Sequence, residues 1–555
     1  MPPAARPNVV FIVMDDLAWG DLACHGNPFT KTPNLDRLHA ASTRLTRYYS
    51  GPLCSPARAG IMTGRYHLRT RCIDTYLGRS MLDPSERTLP QAFRAGGYRT
   101  GLFGKWHLGD CYPMRPCDLG FETALYHKGG GIGQPGDHPA NHARGGESYF
   151  DPVLFRDGVP EPARGYCTDL FFDETLRFAE ARREEPFFAY LATNTPHGPL
   201  VVGDAWSAPY KQLGLPEKHA NLYGMVANID WNLGRLTRGL EKLGLADRTL
   251  VIFTSDHGPC PSSLEKDQPP ERQARFNSGL RGMKGQLYDG GVRVPCLWKL
   301  PGTLAPGRDL GVLAHTIDVL PTLSELCGLP ASGAKLDGVS LWPYLKGARA
   351  PEAAPARTVF MQWHRGDAPI RYRNAGAIEA RFKWYRPEED APDELYDLPA
   401  DPFETRNLAA DLPAETARLR ARYDAWFDDV SSTRPDNYAP PRIHVGTEHE
   451  SPTVLSRQDW RVHGKDGWMD RHYGHWEVKL CAPGPYRVTV RFSKPAEKPG
   501  TLRVQLAGRA FEAPLEAGCA EARLETSALP LGDTQVEAWG ECEGERISPL
   551  YVELA

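Results

Sequence analysis

The sequence lacks the features that would place this protein in a membrane or on a nucleic acid. It has no run of about 18 apolar residues, so nothing predicts a transmembrane helix. Its 65 basic residues are outnumbered by 69 acidic ones, which gives a net charge of −4 and no basic field for nucleic acid. We therefore expect neither a membrane nor a nucleic acid among its partners.

Regularly spaced cysteine pairs are also missing, and the first apolar run is short. The twelve cysteines follow no paired metal-binding spacing, and only Cys111 and Cys117 lie close together. The first apolar run, residues 8–14, is too short for the core and cleavage site of a signal peptide. We expect a mostly reduced, cytoplasmic protein for the chain as written, and a periplasmic or secreted one if a signal was trimmed.

What the sequence does contain is enough apolar material for several folded units. Its 555 residues are 41% apolar and 24% charged, which predicts one large domain with one or two smaller ones. Residues 348–357 are rich in proline and alanine and indicate a linker. From about residue 442, short alternating segments between Gly/Pro turns predict a β-sandwich.

The first predicted strand ends in two carboxylates. Residues 8–14 form a continuous β-type run before Asp15 and Asp16, which is typical of a parallel strand buried on both faces. Ligands bind at the carboxyl ends of such strands, and adjacent carboxylates repel unless a cation such as Ca²⁺ or Mg²⁺ neutralises them. A helix N-cap or a solvated turn would explain the same two residues.

Two later strand ends carry histidines. Residues 98–103 lead to Lys105 and His107, which share one face of the strand end and suit an anion and a proton transfer. His197 follows the predicted strand of residues 186–192. Each motif alone is also consistent with an ordinary surface loop.

A third carboxylate and a second lysine come further along. The predicted strand of residues 249–254 ends just before Asp256 and His257. Residues 280–295 are rich in glycine, which permits close backbone approach to a ligand, and contain Lys284, a mobile point charge. The alternative here is a glycine-rich hairpin that carries surface charge.

The stretch 53–60, Leu-Cys-Ser-Pro-Ala-Arg-Ala-Gly, connects these positions to a known family. Its Ser-Pro pair favours a turn before a helix, so Cys54 would lie at or just before a helix N-terminus, where negative charge is stabilised. Cys-x-Pro-x-Arg followed by Thr-Gly-Arg resembles the signature of the type I, arylsulfatase-like sulfatases of the alkaline-phosphatase superfamily. Other segments also resemble motifs of that family, between about residues 8 and 408: 15–21, 32–38, 104–109, 194–197 and 280–295.

The resemblance implies an unusual nucleophile and a bound metal ion. In this family a formylglycine-generating enzyme oxidises the cysteine, so Cys54 would become formylglycine, whose aldehyde hydrate is the nucleophile. One divalent ion, Ca²⁺ first and Mg²⁺ as the alternative, would be held by Asp15, Asp16, Asp256, His257 and the oxidised Cys54. Many sulfatases have asparagine where this sequence has His257, and a histidine must be neutral to bind a metal.

The same resemblance implies roles for the remaining motif residues. Arg58 would orient the hydrate, and Lys105 and Lys284 would hold the sulfonate oxygens. His197, together with Lys284, would assist the leaving group. His107 would then take a proton from the sulfated hydrate, so that sulfate leaves and the aldehyde returns.

The expected architecture is an α/β fold in which helices sandwich a large mixed, mostly parallel sheet, as in alkaline phosphatase, over residues 1–355. A small antiparallel sheet with a helix follows in residues 356–435, including predicted strands at 358–363 and 377–385. The β-sandwich, outside the resemblance, occupies residues 442–555. Three residues between the strands of the small sheet are candidates to face the site: His364, Arg365 and Arg371.

The predicted reaction is hydrolysis of an aryl or carbohydrate sulfate monoester to an alcohol and inorganic sulfate. A phosphonate monoester or phosphodiester hydrolase of the same superfamily would use the same nucleophile and metal. The alternative from another class is a protein that binds sulfated glycans without hydrolysis. Four aromatic residues near the β-sandwich suit either sugar stacking or core packing: Trp460, Trp468, Tyr473 and Trp476. The oligomeric state and exo or endo action stay open.

Overall fold

A ten-stranded sheet lies at the centre of the structure, a computed structural model that describes residues 6–261, 275–331, 333–432, 436, 438–464, 467 and 472–555. Its five central strands are parallel, in the spatial order Thr249–Ser255, Asn8–Met14, Phe187–Ala192, Arg99–Lys105 and Thr123–His127. Outside Thr249–Ser255 lie Cys296–Lys299, Thr43–Leu45 and Arg308–Leu310, and outside Thr123–His127 lie Val153–Arg156 and Val159–Pro162. The prediction of a mixed, mostly parallel sheet is confirmed.

The strand Asn8–Met14 shows why this sheet is buried on both faces. Alternate residues beginning with Val9 join one apolar core, and those beginning with Val10 join the other. Helices cover the first core: Cys54–Thr63, Leu89–Ala95 and Val319–Cys327. Others cover the second: Pro33–Ala40, Cys167–Ala181 and Glu217–Lys242. The sheet is therefore sandwiched by helices, as predicted.

Shorter elements complete this domain. They are the helices Pro139–Arg144, Asp204–Gln212, Asp289–Val292 and Trp342–Leu345, and a two-stranded pair formed by Tyr48–Tyr49 and Ala314–His315. None of the helices in the described part of the chain has the length and apolarity that a membrane crossing requires.

The helix Cys54–Thr63 begins at Cys54, as the sequence predicts, and all ten of its residues are buried. Gly64 ends it in the left-handed conformation with φ +66°. Just before the helix, a Cβ on Gly51 would lie 2.9 Å from the backbone nitrogen of Ala57, so only glycine fits there. The start of this helix is thus held deep inside the protein.

A small antiparallel sheet follows, with the strands Val359–Gln362, Ala375–Ile378, Phe382–Arg386 and Glu394–Asp397, and the helix Pro413–Ser431 packs on it. The single strand predicted at residues 377–385 is wrong, because a turn divides it into a hairpin. In that turn the Glu379 N–H donates to the Phe382 carbonyl at 2.9 Å. Since the turn contains neither glycine nor proline, the sequence carries no signal for it.

The C-terminal residues form two facing sheets. The larger contains Ile443–Val445, Gly474–Leu480, Gly532–Cys542, Gly500–Leu506 and Arg509–Leu515, with Arg461–Val462 and Glu545–Ile547 alongside. The smaller contains Thr453–Ser456, Pro549–Leu554, Arg487–Phe492 and Glu521–Glu525. Trp460 and Trp476 are 0% exposed in the core between the sheets, so the sugar-stacking interpretation is wrong for both. Trp468 lies outside the described residues.

This β-sandwich shares its core with the α/β domain. Residues from the α/β domain belong to the same apolar cluster as the sandwich interior: Tyr76, Leu77, Met81, Cys111 and Met114. Beside this contact lies a cavity of about 410 Å³ whose charged lining comes from both units and includes Asp110, Lys128, Asp137, Glu450 and Arg491. The two units are therefore packed together over both apolar and polar surfaces.

We predict that Asp137, in this contact, makes the protein less stable as the pH rises from about 4 to about 7. Burial raises the pKa of Asp137 from 3.8 to about 7. Its Oδ2 accepts hydrogen bonds from the Gly133 N–H and Asn141 Nδ2, and its Oδ1 has no partner among the described residues. Between about pH 4 and 7 the unfolded carboxyl is ionised while the folded one keeps its proton, so unfolding becomes more favourable.

Asp137→Asn should therefore flatten the decrease in the free energy of unfolding between about pH 5 and 7.5, measured by denaturant titration. Asp309→Asn, at a carboxylate that is 61% exposed, is the control. An unchanged slope in Asp137→Asn would contradict the prediction.

Candidate active site

The predicted motif residues at three strand ends meet at one edge of the central sheet. Each of three central parallel strands has such residues at or just beyond its carboxyl end: Asp15 and Asp16 on the first, Lys105 on the second, and Asp256 and His257 on the third. Because parallel strands all end at the same edge, side chains far apart in the sequence become neighbours.

Three buried carboxylates form the floor of this site. Asp15, Asp16 and Asp256 are each 0% exposed. The Asp16 N–H donates to Asp256 Oδ1 at 3.3 Å, and Asp16 adopts φ +64°, a left-handed conformation with a local cost. His257 contacts two of them: its Nδ1 lies 3.3 Å from Asp16 Oδ1 and its Nε2 lies 3.4 Å from Asp256 Oδ1. Such a cluster needs compensating positive charge.

The donor set fits a divalent cation. Ligand atoms of Asp15, Cys54, Asp256 and His257 lie within 4.8 Å of one another, and a second such group joins Asp15, Asp16 and His197. Asp16 Oδ2 is buried and accepts no hydrogen bond from the described residues, which leaves it available as a ligand. Carboxylate oxygens are the ligands that Ca²⁺ and Mg²⁺ prefer.

Two lysines supply positive charge beside the carboxylates. Lys105 Nζ lies 2.6 Å from Asp15 Oδ2, and Lys284 Nζ lies 2.8 Å from Asp16 Oδ1. Burial opposes ionisation of both carboxyls, but Lys105 holds the pKa of Asp15 well below its usual value. Lys284 in turn lowers the pKa of Asp16 to about 2. Both carboxylates are therefore ionised at neutral pH and ready to bind a cation.

Cys54 lies among these charged groups. Its Sγ is 3.1 Å from His257 Nε2 and 3.6 Å from Asp15 Oδ1, and the residue is only 2% exposed. Burial opposes the thiolate, but the charges of Lys105 and Lys284 lower the pKa of Cys54 to about 5. A nucleophile at this position is thus surrounded by metal ligands and cations.

Arg58 lies behind the carboxylates and is 0% exposed. Its Nε and Nη2 donate to Asp256 Oδ2 at 3.2 and 2.9 Å, and its Nη1 donates to the Lys105 carbonyl at 3.1 Å. Arg58 therefore fixes one carboxylate and the end of a neighbouring strand. Its action on a formylglycine hydrate stays a prediction.

His107 has one ring nitrogen committed and one free. Its Nε2 lies 2.8 Å from the Thr75 carbonyl, which can only accept, so Nε2 carries the proton. Its Nδ1 has no hydrogen-bond partner in the described part of the chain. Burial, and then the charge of Lys105, hold the pKa of His107 well below its usual value. His107 is therefore a neutral ring whose Nδ1 can accept a proton.

His197 lies beside the carboxylate of Asp16. Its Nδ1 lies 2.6 Å from the Gly198 carbonyl, which leaves Nε2 facing Asp16 Oδ2 at 3.8 Å. Its side chain is 17% exposed, so it can reach a bound molecule from the open side of the site.

The rim of the site contains residues that the sequence did not identify. Asp74, which is 0% exposed, accepts hydrogen bonds from the Trp363 indole at 3.2 Å and from the Arg365 guanidinium. The Trp363 ring would lie 3.2 Å from a Cβ on Gly285, the residue after Lys284. Of these three rim residues, the sequence identified only Arg365. Asp74 and Trp363 belong to no motif and are 289 positions apart, so nothing in the sequence connects them.

His364 and Arg371 do not join this rim. His364 Nε2 accepts the Ile370 N–H at 2.8 Å, and Arg371 pairs with Asp424 and Asp428 on the helix of the small domain. The prediction that these two face the site is wrong, because nearer partners within the small domain bind them.

The chain matches two family models. The model described as "Sulfatase" matches residues 7–329, and the one described as "N-sulphoglucosamine sulphohydrolase, C-terminal" matches residues 283–424. Among curated proteins it is similar to steryl-sulfatase of Mus musculus, 31% identical over 451 residues that cover 66% of this chain and 70% of the relative. Arylsulfatase A of Homo sapiens is 33% identical over 371 residues, covering 62% of this chain and 68% of the relative.

Solved structures with the same fold include "Ps i-CgsB in complex with k-i-k-neocarrahexaose". It has a TM-score of 0.67 and 25% identity, and covers 80% of this chain and 95% of that one. The phosphonate monoester hydrolase of Agrobacterium radiobacter is also similar, with a TM-score of 0.53, 25% identity and coverages of 78% and 96%. The alkaline-phosphatase-like fold is thus confirmed.

We predict that Ca²⁺ stabilises this site and that Asp16 is required for the effect. At about 100 times its dissociation constant, a bound ion adds about 2.7 kcal/mol of stability, which raises the melting temperature by a few degrees. Asp16→Asn should lose this shift because it removes a charged ligand, whereas the exposed-site variant Asp309→Asn should keep it. Thermal unfolding in chelator, Ca²⁺ or Mg²⁺ measures it. A wild-type curve insensitive to all three, or a full shift in Asp16→Asn, would refute the assignment.

Proposed function

The chain belongs to the sulfatase family and hydrolyses sulfate esters, and we propose that its substrate is a sulfated saccharide attacked by a formylglycine derived from Cys54. The observation that carries this proposal is the position of Cys54 Sγ, 3.1 Å from His257 and 3.6 Å from Asp15, with Lys105 and Lys284 beside the same carboxylates.

The metal in this proposal is one Ca²⁺, held by Asp15, Asp16, Asp256, His257 and the oxidised residue 54. When bound, it would lower the pKa of the nucleophilic oxygen and polarise a sulfate oxygen. Three carboxylates in the set favour a hard cation, and Ca²⁺ accepts the larger number of ligands that these five residues offer.

The positions of the other site residues suit three further roles, which are sulfonate binding, proton donation and proton acceptance. Lys105 and Lys284 hold the negative sulfonate oxygens through charge-assisted hydrogen bonds. His197, at the open side, donates a proton to the departing alcohol oxygen together with Lys284. His107, with its free Nδ1, accepts a proton when sulfate is released.

Maturation of Cys54 must precede folding in this proposal. The residue is 2% exposed and begins a helix whose ten residues are all buried, so an oxidising enzyme cannot reach it in the folded protein. A formylglycine-generating enzyme would therefore act on the unfolded chain. The formylglycine supplies the hydrated aldehyde whose oxygen attacks sulfur.

The rim of the site supports a saccharide as the leaving group. Trp363 offers a partly exposed aromatic ring beside Lys284, and sugar rings stack on such surfaces. Arg365 is 31% exposed and lies 4.1 Å from the ring centroid of Tyr76, so it is held in place yet can bind a polar or anionic group. The similar structure that carries a neocarrahexaose in its name agrees with this class of substrate.

The test of this function combines a mass measurement with turnover. The tryptic peptide of residues 48–58 should carry formylglycine, in which oxygen replaces sulfur and two hydrogens are lost. The oxidised protein should then hydrolyse sulfate esters with a higher kcat/KM than phosphate or phosphonate esters, and Cys54→Ala should not.

A peptide with intact cysteine, even after co-expression with a formylglycine-generating enzyme, would refute the nucleophile. A preference for phosphonate monoesters would favour the reaction of the Agrobacterium radiobacter enzyme. Binding of sulfated glycan without hydrolysis would favour a non-catalytic role.

We predict that Arg365→Ala raises KM for sulfated saccharides by about 10-fold, since a hydrogen bond to a charged group contributes about 1.5–3 kcal/mol. A small aryl sulfate, which does not reach the rim, should keep its KM. Arg406→Ala is the control, because Arg406 is 75% exposed and pairs with Asp411 elsewhere in the small domain. Steady-state kinetics on both substrates measure the difference. An equal loss on both substrates would argue against a role in saccharide recognition.

A further inference from the structure

A segment of the C-terminal β-sandwich enters the active-site region of the α/β domain. Gln458 lies in this segment and is 1% exposed. The Gln458 carbonyl accepts the Gly78 N–H at 3.2 Å. A Cβ added to Gly136 would lie only 2.8 Å from the Cβ of Gln458. The segment is therefore enclosed between two loops of the α/β domain, and its backbone is fixed there.

The side-chain amide of Gln458 contacts the loop that holds His107. Gln458 Nε2 donates to the Thr75 carbonyl at 2.5 Å and to Ser80 Oγ at 3.1 Å, and it lies 3.3 Å from His107 Nε2. The opposite amide orientation would place Oε1 against the Thr75 carbonyl, where two acceptors repel. The amide nitrogen therefore faces this carbonyl.

The same carbonyl determines which nitrogen of His107 carries the proton. It accepts from His107 Nε2 at 2.8 Å and so leaves the lone pair on Nδ1, the nitrogen without a partner among the described residues. His107 also adopts φ +57°, an uncommon conformation that its surroundings must maintain. If the Thr75 carbonyl moved, His107 would lose the acceptor that fixes its tautomer and the orientation of its ring.

We propose that Gln458 is a positioning residue for His107, so that the C-terminal β-sandwich completes the active site. By binding the Thr75 carbonyl and Ser80 together, Gln458 fixes the acceptor that orients the imidazole. The proposal rests on the proposed function, in which His107 Nδ1 accepts a proton as sulfate is released. Gln458 itself lies beyond residues 7–424, the part of the chain that the family models match.

Two substitutions of similar volume test this role. Gln458→Met removes the donor without adding charge, and Gln458→Glu places an acceptor against the Thr75 carbonyl. Both should lower kcat for an aryl sulfate by about 10–100-fold while KM changes little, because a misplaced base loses part of the 10²–10⁴-fold that general base catalysis contributes. Gln505→Glu makes the Gln-to-Glu change at an exposed position on the strand Gly500–Leu506 of the same sandwich and should leave kcat unchanged.

A spectroscopic readout separates positioning from general structural damage. In ¹⁵N-histidine-labelled protein, His107 should show a protonated Nε2 and an unprotonated Nδ1, with the signals assigned by their loss in His107→Ala. In Gln458→Met the two nitrogens should shift toward averaged values, which report a mixture of tautomers. This measurement needs neither substrate nor oxidised Cys54.

A double-mutant comparison completes the test. In the His107→Ala background, Gln458→Met should cause no further loss of kcat. Equal losses in both backgrounds, or folded Gln458 variants with wild-type kcat and His107 signals, would overturn the inference. If a variant fails to fold, Gln458→Asn, which keeps the amide but cannot reach the carbonyl, replaces it. If His107→Ala itself keeps the wild-type kcat, the proposed role of His107 fails, and the inference fails with it.

Discussion

The mutual repulsion of three buried carboxylates is the constraint on which this structure depends. Asp15, Asp16 and Asp256 have no access to solvent, and two unit charges about 4 Å apart repel by about 4 kcal/mol even at an effective dielectric constant of 20. Positive groups therefore converge on them: Lys105, Lys284 and Arg58. A divalent cation bound to these carboxylates would neutralise part of their charge. The two lysines would then be freer to bind a negatively charged substrate. The carboxylates thus hold cationic side chains at the position where a negatively charged sulfate ester would bind.

The central sheet makes this cluster possible because its register fixes where each strand ends. The Asp15 N–H donates to the Thr195 carbonyl, and the Asp256 N–H donates to the Met14 carbonyl, so the turns after three strands are tied to one another. The helix that begins at Cys54 is fully buried below them. Its N-terminus adds partial positive charge beside the lysines. Burial of the whole assembly keeps the local dielectric low, which strengthens each of these interactions.

The sequence predicted the parts of the site that local pattern determines. A continuous apolar run followed by a polar pair locates a strand end, and this located Asp15 and Asp256 without any tertiary information. His197 was assigned through the resemblance of residues 194–197 to the sulfatase motif. Proximity in space was harder to predict. The Asp256 partner of Arg58 is 198 positions away, and the Asp74 partner of Trp363 is 289 positions away, so no periodicity connects them. The hairpin at residues 377–385 escaped prediction because its turn, residues 379–381, contains neither glycine nor proline.

The burial of Trp460 shows why an aromatic cluster in the sequence does not by itself indicate a sugar-binding surface. Near an accessory β-domain such a residue suggests a sugar platform, yet here it is 0% exposed, in the core that the sandwich shares with Tyr76 and Met81. Tyr76 lies within the loop that includes Thr75 and Ser80, and Met81 follows this loop directly. The loop carries the Thr75 carbonyl, the acceptor for His107. Apolar contacts and the hydrogen bonds of Gln458 both hold this loop in place. The β-sandwich thus buries its own segment against that loop, and Gln458 is the contact through which it would orient His107.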